Sequence, residues 1–178
     1  MQIEIVQTVN EIDAIIRSNP FFDLYVYSYD TDKLIIAGSQ DLTYYHTLEI
    51  IFEDVLFVSG KFTKLSTDKK SPIISMPENS KFLNIKYEIE QGYNLFRISV
   101  EDLKNNFFVA AKSISFNNDT VYYYNKKNLN RSERLAYFVK NVWQRQQVTL
   151  AKTPLLHFGR RQQFSTNPQN RFYFCVKM

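Results

Sequence analysis

The sequence predicts an α+β fold: a mainly antiparallel β-sheet or sandwich flanked by an N-terminal helix and a second helix in the C-terminal half. Two observations predict this class. Between Phe82 and Tyr124, four consecutive segments alternate apolar and polar side chains and are separated by short turn signals, as in antiparallel strands. Two other segments repeat apolar side chains every three or four residues, the period of a helix with one buried face.

The N-terminal part of the chain is predicted to form a strand, a helix and two further strands. Thr8 lies three residues before Glu11, the spacing of a capping box, which marks the start of a helix. Pro20 ends that helix because proline disfavours helical geometry in the preceding residue. Asp30 and Asp32 lie in a turn that lacks the glycine and glutamate of a calcium loop. The four predicted elements are Gln2–Val6, Val9–Ser18, Phe22–Tyr29 and Lys33–Ala37.

The segment Leu42–Val58 predicts a long strand whose buried face changes partway. Its apolar side chains share one face up to Phe52 and the opposite face from Val55 onward, so we expect a β-bulge near Glu53 and Asp54. Adjacent carboxylates on a strand point to opposite faces, so these two are not an acid/base pair. Two short strands are predicted to follow, at Lys61–Leu65 and Pro72–Met76.

Four strands are predicted in the central part of the chain: Phe82–Glu90, Tyr93–Glu101, Asn106–Phe116 and Val121–Asn125. The first two are expected to form a hairpin whose loop begins at Gly92, where a type II′ turn needs a positive φ. The run from Phe107 to Ala111 is apolar on both faces, so we expect it to be buried on both sides. The polar residues 117–120 are expected to join the last two strands as a second hairpin.

The C-terminal half is predicted to contain the second helix. Asn130 lies three residues before Glu133 in capping-box spacing, and an apolar stripe follows, which predicts a helix at Asn130–Arg145. Residues 1–145 are therefore predicted to form a single β-rich domain. Residues 146–178 form a basic extension whose end is too apolar for a free tail. It is expected to dock on the body of the domain, to add an edge strand or to pair between subunits.

The charge is divided unequally along the chain, although the whole carries a net charge of only +4. Through Asn125 there are 11 Lys and Arg against 17 Asp and Glu, a net charge of −6. From Lys126 onward there are 11 Lys and Arg against the single acid Glu133, a net charge of +10. A basic region of this kind indicates an acidic partner, either a protein or a nucleic acid.

No catalytic, metal-binding or phosphate-binding pattern is present in the sequence. Two histidines and one cysteine exclude a histidine-rich metal site, a zinc finger and an internal disulfide. Cys175 and His157 are a poor nucleophile and base because the thiol lies three residues from the end of the chain. His46 is interpreted as a strand histidine at a surface or edge. We therefore expect no enzyme activity, no cofactor and no metal site.

The predicted location is cytoplasmic, without membrane contact. The sequence has no run of about eighteen apolar residues that would span a bilayer, and its start does not resemble a secretory signal. A single cysteine is typical of a reducing compartment.

Two binding functions are compatible with the basic region. In the first, the protein is an adaptor-like or toxin-neutralising-like module that engages another protein or a second copy of itself. In the second, arginines contact the phosphates of single-stranded nucleic acid while phenylalanines stack on its bases. We expect the first, with the second as the alternative. The candidate binding residues are Arg145, Phe158, Arg160, Arg161, Phe164, Arg171 and Phe172.

Overall fold

A large antiparallel sheet and a smaller one make up most of the structure. The structure is a computed structural model that describes residues 2–60, 65–67, 72–99 and 106–139. The helices among these residues are α1 (Gln2–Ser18) and α2 (Ser80–Lys86). The strands are β1 (Asp23–Asp30), β2 (Lys33–Ser39), β3 (Tyr45–His46), β4 (Leu48–Ser59), β5 (Leu65–Ser66), β6 (Ile74–Ser75), β7 (Asn94–Ile98), β8 (Phe107–Asn117), β9 (Thr120–Tyr122) and β10 (Glu133–Leu135).

Within the described ranges, seven strands form the large sheet in the order β5-β1-β2-β4-β8-β7-β6, with every neighbouring pair antiparallel. The small sheet has the order β10-β9-β3, in which β10 runs parallel to β9. The predicted α+β class and mainly antiparallel sheet are confirmed, whereas the sandwich alternative is not. Neither described helix has the length and apolar content needed to cross a membrane.

The main core lies between α1 and one face of the large sheet. The helix contributes Ile5, Val9, Ile12 and Ile16 to it, and these residues are spaced four, three and four apart. From the sheet come Leu24, Ile36, Ile50, Phe52, Phe96 and Val109, among others. Each such side chain stabilises the fold by about 1.5–3 kcal/mol when fully buried. A carboxylate oxygen of Asp13 also accepts the backbone N–H of Ile73 at 2.6 Å, which ties α1 to the start of β6.

The opposite, outer face of the large sheet is covered in two places. Helix α2 places Leu83 against Leu95 and Ala110, in a second apolar cluster. The small sheet covers the region of β1 and β4, and its own core contains Val121 and Ala136. The predicted burial of β8 on both faces is confirmed, because Phe107, Val109 and Ala111 lie in the main core and Ala110 is buried under α2 on the outer face. Phe108, beside Ala110, is only partly buried.

The predicted strand Gln2–Val6 is wrong, because these residues form the first turns of α1. The predicted helix Val9–Ser18 is confirmed, and it extends to Gln2 at its N-terminal end. The alternation that suggested a strand arises from Ile3 and Ile5, of which only Ile5 is buried while Ile3 is 84% exposed. The capping-box pair Thr8 and Glu11 therefore lies inside a helix.

The predicted hairpin of Phe82–Glu90 with Tyr93–Glu101 is also wrong. Its first strand is instead α2 and a following turn, and its second becomes β7, which pairs with β6 and β8. Leu83 and Tyr87 are four residues apart, so they satisfy a strand alternation and a helical period equally well. Gly92 does adopt a positive φ, of 99°, in the turn before β7.

The predicted bulge in the long strand is confirmed close to its expected position. Asp54 has a φ of 52°, and the β4–β8 register shifts between Val55 and Phe57. The predicted hairpin of β8 with β9 is wrong, because β9 leaves the large sheet and pairs with β3 and β10. The predicted strands β1 and β2 are confirmed as a hairpin. The predicted strand Pro72–Met76 corresponds to β6, whereas only Leu65 of the predicted strand Lys61–Leu65 lies within the described ranges, where it begins β5.

The second predicted helix does not begin at Asn130. The Glu133 carboxylate accepts the Asn130 backbone N–H at 3.0 Å, as in a capping box, but residues 133–135 form β10. The chain is helical at residues 137–139. The rest of this prediction, the domain boundary at 145 and the extension 146–178 lie outside the described residues.

Candidate functional site

The site begins with a row of side chains on the outer face of the large sheet. Strand register places Tyr25 opposite Ala37 and Ala37 opposite Glu49, so these three side chains lie side by side across β1, β2 and β4. Ala37 is small and leaves space between its two neighbours. Glu49 is only 4% exposed although it carries a carboxylate on a central strand. Because a buried charge is costly unless it is paired, this carboxylate requires partners.

The small sheet supplies those partners. His46 of β3 pairs with Val121 of β9, and side-chain alternation puts Tyr123 on the same face as both. On the other side of β9, Arg134 of β10 pairs with Val121. The face of the small sheet that carries His46, Tyr123 and Arg134 is therefore the one that lies on Tyr25 and Glu49.

These five side chains form one continuous hydrogen-bonded chain, which we call the buried network. The Tyr25 and Tyr123 hydroxyl oxygens are 2.6 Å apart, and Tyr123 Oη is 2.7 Å from His46 Nδ1. His46 Nε2 lies 3.0 Å from Glu49 Oε1, and the Arg134 guanidinium donates to Glu49 Oε2. An ionised Glu49 only accepts, so His46 Nε2–H must donate to it. In a neutral ring, His46 Nδ1 then accepts from Tyr123, whose oxygen accepts from Tyr25.

Glu49 is the electrostatic centre of the buried network. Burial acts to raise the pKa of its carboxyl, but hydrogen bonds from His46 and Arg134 and the Arg134 charge outweigh burial and leave the pKa below its usual value. A lowered pKa means that the folded protein holds the ionised carboxylate more favourably than the unfolded chain does. The resulting contribution to folding stability is present above pH about 4.3, the unfolded value, and is lost as the pH falls through the folded-state pKa. Arg134 is also 3.6 Å from Asp119, which leaves its charge doubly compensated.

The tyrosines of the site stay protonated to high pH. Burial, together with nearby ionisable groups, raises the pKa of Tyr25 and of Tyr27 to about 12, and it raises the pKa of Tyr123 further. The Tyr27 hydroxyl is buried, and no described residue lies at the distance and angle of a hydrogen bond to it. The backbone N–H of Tyr137 nevertheless lies near enough to that hydroxyl to oppose the rise in its pKa.

The buried network is suited to holding the two sheets together rather than to reacting with a substrate. His46 is fully buried, and its two ring nitrogens are both occupied by protein partners. The described residues contain no group of three or more His, Cys, Asp or Glu that could hold a metal ion. Arg134 also places a cation on Glu49, where it would repel a metal. What the network does is fix the position of β3, β9 and β10.

The outward face of the small sheet carries tyrosines, and we call Tyr45, Tyr122 and Tyr124 the tyrosine face. Register pairs Tyr45 with Tyr122, and alternation puts Tyr124 on the same side. Ring centroids lie 6.2 Å apart for the first pair and 5.4 Å for Tyr122 with Tyr124, which are in edge contact. Lys126 Nζ lies 4.1 Å from the Tyr122 ring centroid and 2.6 Å from Glu133. Tyr124 is 47% exposed.

The structure does not test the candidate binding residues proposed from sequence. All seven, from Arg145 to Phe172, lie outside the described residues, so they remain predictions. The interpretation of His46 as a strand histidine at a surface or edge is right about the edge, because β3 is an edge strand of the small sheet. It is wrong about the surface, because Tyr123 and Glu49 enclose the ring. A signal was present in the sequence: Glu49 interrupts the apolar run from Leu48 to Phe52, and a charge inside such a strand needs a buried partner.

Comparisons with known proteins add no family to this description. No protein-family model matches the chain, and neither a curated protein nor a solved structure matches it.

Proposed function

We propose that the protein is a non-enzymatic cytoplasmic binding module that engages an acidic surface of another protein through the tyrosine face. One observation carries the proposal: Tyr124 is exposed and in edge contact with Tyr122. The small sheet that carries both tyrosines is attached to the large sheet by the buried network. Tyrosine anchors of this kind bury a large amphipathic area while losing little conformational entropy. They are enriched among the residues that dominate the affinity of protein interfaces.

Rigidity supports a binding role for this surface. A side chain that is already held in place loses less conformational entropy when a partner binds. Tyr122 is fixed by Tyr45 and Tyr124 on either side, by Lys126 over its ring and by a 2.9 Å hydrogen bond from its hydroxyl to Glu133.

Charge supports an acidic partner. Lys127 and Arg131 are exposed close in sequence to the tyrosine face, and neither forms an ion pair with a described residue. The charge of Lys126 is instead compensated by Glu133, whose own pKa is lowered to about 2 by the Asn130 backbone N–H and by Lys126 and Tyr122. Exposed cations this close in sequence to the tyrosines would guide an acidic partner and exclude a basic one. The cytoplasmic location in the proposal is supported by the single cysteine.

The same surface is less suited to stacking nucleic acid bases. A stacking platform needs open ring faces, and Lys126 already occupies one face of Tyr122. The rings of Tyr122 and Tyr124 meet at 66°, so they do not present parallel faces to successive bases. These contacts favour a protein partner over single-stranded nucleic acid, which remains the alternative outcome of the test below.

The test is site-directed photo-crosslinking followed by reconstitution. A photoreactive phenylalanine analogue replaces Tyr124 in the full chain, and the crosslinked protein is identified, purified and titrated against the unmodified chain by calorimetry. We expect Tyr124→Ala to raise the Kd of the purified pair about 30-fold or more, since truncating an interface anchor costs about 2 kcal/mol or more. Tyr29→Ala is the matched control, because Tyr29 is similarly exposed, at 50%, but lies near the C-terminal end of β1 and not on the tyrosine face.

Two results would overturn this proposal. The first is a purified pair whose Kd is the same for Tyr124→Ala and for Tyr29→Ala. The second comes from fluorescence anisotropy with labelled single-stranded RNA and DNA. Binding at physiological salt that weakens steeply with salt and requires Tyr124 would establish the nucleic-acid function instead.

A further inference from the structure

Two hydroxyls of the tyrosine face have no partner among the described residues. Neither the Tyr45 nor the Tyr124 hydroxyl lies at hydrogen-bond distance and angle from any of them. The Tyr122 hydroxyl differs, because it donates to Glu133 at 2.9 Å and accepts from Lys126 at 2.8 Å. The face therefore presents two hydroxyl donors, one on each side of a tyrosine whose own hydroxyl is already occupied. A partner that supplies acceptors at both places would gain hydrogen bonds as well as apolar contact.

The rings of the tyrosine face are inclined to one another. Tyr122 meets Tyr45 at an interplanar angle of 54° and Tyr124 at 66°. Tyr45 and Tyr124 flank Tyr122 and form no ring contact with each other. Ring edges and ring faces therefore alternate across the surface, which suits small, separated apolar rings better than one flat ligand.

We propose that the tyrosine face binds a proline-rich segment of its partner in the polyproline II conformation, with an acidic residue beside the prolines. The inference rests on the function proposed above and names the chemistry of the partner. A polyproline II helix has no internal hydrogen bonds, so its backbone carbonyls are free to accept from Tyr45 and Tyr124. Proline-rich segments dock on aromatic-lined surfaces, and their preformed conformation lowers the entropy lost on binding.

The spacing of the tyrosines fits the repeat of that conformation. Polyproline II has three residues per turn and a rise of about 3.1 Å per residue, so prolines three positions apart lie on one side at about 9.3 Å. The ring centroids of Tyr45 and Tyr124 lie 6.2 and 5.4 Å from that of Tyr122, and the separation of the outer two cannot exceed these distances combined. Two such prolines can therefore each contact one of the outer tyrosines.

Other backbone conformations would use the two hydroxyl donors less well. Carbonyls in the interior of an α-helix already accept N–H groups of the same helix. A β-strand pairs its backbone with the free edge of a sheet, so it would bind beside the tyrosine rings and not across them. Only an extended segment without backbone pairing of its own brings unused carbonyls to the rings.

Two exposed cations favour an acidic residue beside the prolines. The connection between β9 and β10 contains three cations and no acid. Lys126 is paired with Glu133 at 2.6 Å, whereas Lys127 and Arg131 are exposed and form no ion pair with a described residue. Charges of this kind select a partner by sign and speed its association.

The acids close in sequence to β3 and β9 do not cancel these two cations. Glu49 and Asp119 both lie against Arg134. Asp41, four residues before β3, is half-exposed, and its carboxylate accepts the Thr43 backbone N–H at 2.9 Å. Two exposed cations against one half-exposed acid leave a positive balance, which an acid of the partner would meet.

Fluorescence anisotropy of the full chain with three labelled synthetic peptides tests the inference. The first peptide has three repeats of proline-proline-leucine preceded by two aspartates. The second replaces its prolines with alanine, and the third replaces its aspartates with lysine. We expect the first peptide to bind at least about tenfold more tightly than the second and at least about fivefold more tightly than the third.

Removing single hydroxyls tests the geometry. Tyr45→Phe and Tyr124→Phe keep their rings, and each should raise the Kd of the first peptide about fivefold, because each removes one hydrogen bond. Tyr29→Phe is the matched control, because Tyr29 is 50% exposed but lies near the C-terminal end of β1. It should leave the Kd unchanged.

Three results would overturn the inference: no saturable binding of the first peptide up to about 1 mM, equal binding of either control peptide, or a Kd that neither hydroxyl changes. The photo-crosslinked partner separates this failure from failure of the proposed function. A partner whose Kd depends on Tyr124, but whose crosslinked segment contains no proline, leaves that function standing and overturns only the polyproline inference. A partner insensitive to Tyr124→Ala overturns both.

Discussion

Removing one hydroxyl from the buried network should loosen the attachment of the small sheet. In Tyr123→Phe the ring remains and keeps its contacts with His46 and Phe138, at centroid distances of 5.5 and 5.6 Å. The lost oxygen is the one that joins Tyr25 to His46, at 2.6 and 2.7 Å. The substitution therefore changes hydrogen bonding with little change in packing.

The expected loss of stability follows from the groups left behind. Two hydrogen bonds disappear, each with a net value of about 1 kcal/mol. Nδ1 of the fully buried His46 also loses its partner, and an unsatisfied buried acceptor costs about 1–3 kcal/mol. Because these contributions overlap, we expect the free energy of unfolding to fall by about 2–4 kcal/mol. For a chain of this length that corresponds to a Tm lower by about 5–15 °C.

Urea denaturation followed by tyrosine fluorescence and circular dichroism measures this loss. Tyr45→Phe is the control, because the Tyr45 hydroxyl forms no hydrogen bond with a described residue and its ring lies on the outward face. We expect the control to stay within about 0.5 kcal/mol of the unmodified chain. If Tyr123→Phe were as stable as Tyr45→Phe, the buried network would not hold the small sheet in place, and the reasoning would be refuted.

Two further predictions concern alkaline stability and close packing. Because the pKa of Tyr25 is raised to about 12, its contribution is present below pH about 10, the unfolded value, and is lost as the pH rises toward 12. Tyr25→Phe should therefore reduce the pH dependence of the unfolding free energy between pH 10 and 12 by about 1.4 kcal/mol per pH unit; an unchanged slope in urea titrations over that pH range would contradict this. In Gly60→Ala the new Cβ would lie 2.1 Å from the ring of the fully buried Phe107, so we expect a loss of about 1–3 kcal/mol in urea denaturation, whereas a variant as stable as the parent would show that the ring can shift freely.

The two strands that sequence reasoning misassigned share one physical cause. At Ile3 and Ile5, and again at Leu83, Ile85 and Tyr87, apolar residues alternate as they would in a half-buried strand. In both cases a helix forms and leaves one of them, Ile3 or Ile85, largely exposed. Alternation is a reliable strand signal only when every apolar residue in it is buried, and burial depends on neighbours that are distant in sequence.

The site was beyond sequence reasoning for a different reason. Its members stand at positions 25, 46, 49, 123 and 134, and no short motif joins them. The segment from Asn130 carried half of a capping box, so local rules predicted a helix there. Parallel pairing of β10 with β9 overrode that preference and brought Arg134 to Glu49. Local propensity amounts to less than about 1 kcal/mol per residue, so tertiary contacts readily outweigh it.

The sequence by itself determined the α+β class, the amphipathic stripe of α1, the β1–β2 hairpin and the bulge in β4. Each of these depends on the order of apolar, polar and turn-forming residues within one segment, which the chain states directly. Only the tertiary structure decided that β9 leaves the large sheet, that α2 is a helix and that His46 is enclosed by Tyr123 and Glu49. Those outcomes depend on which distant segments share a surface, because a buried charge or hydroxyl is stable only where another segment supplies its partner.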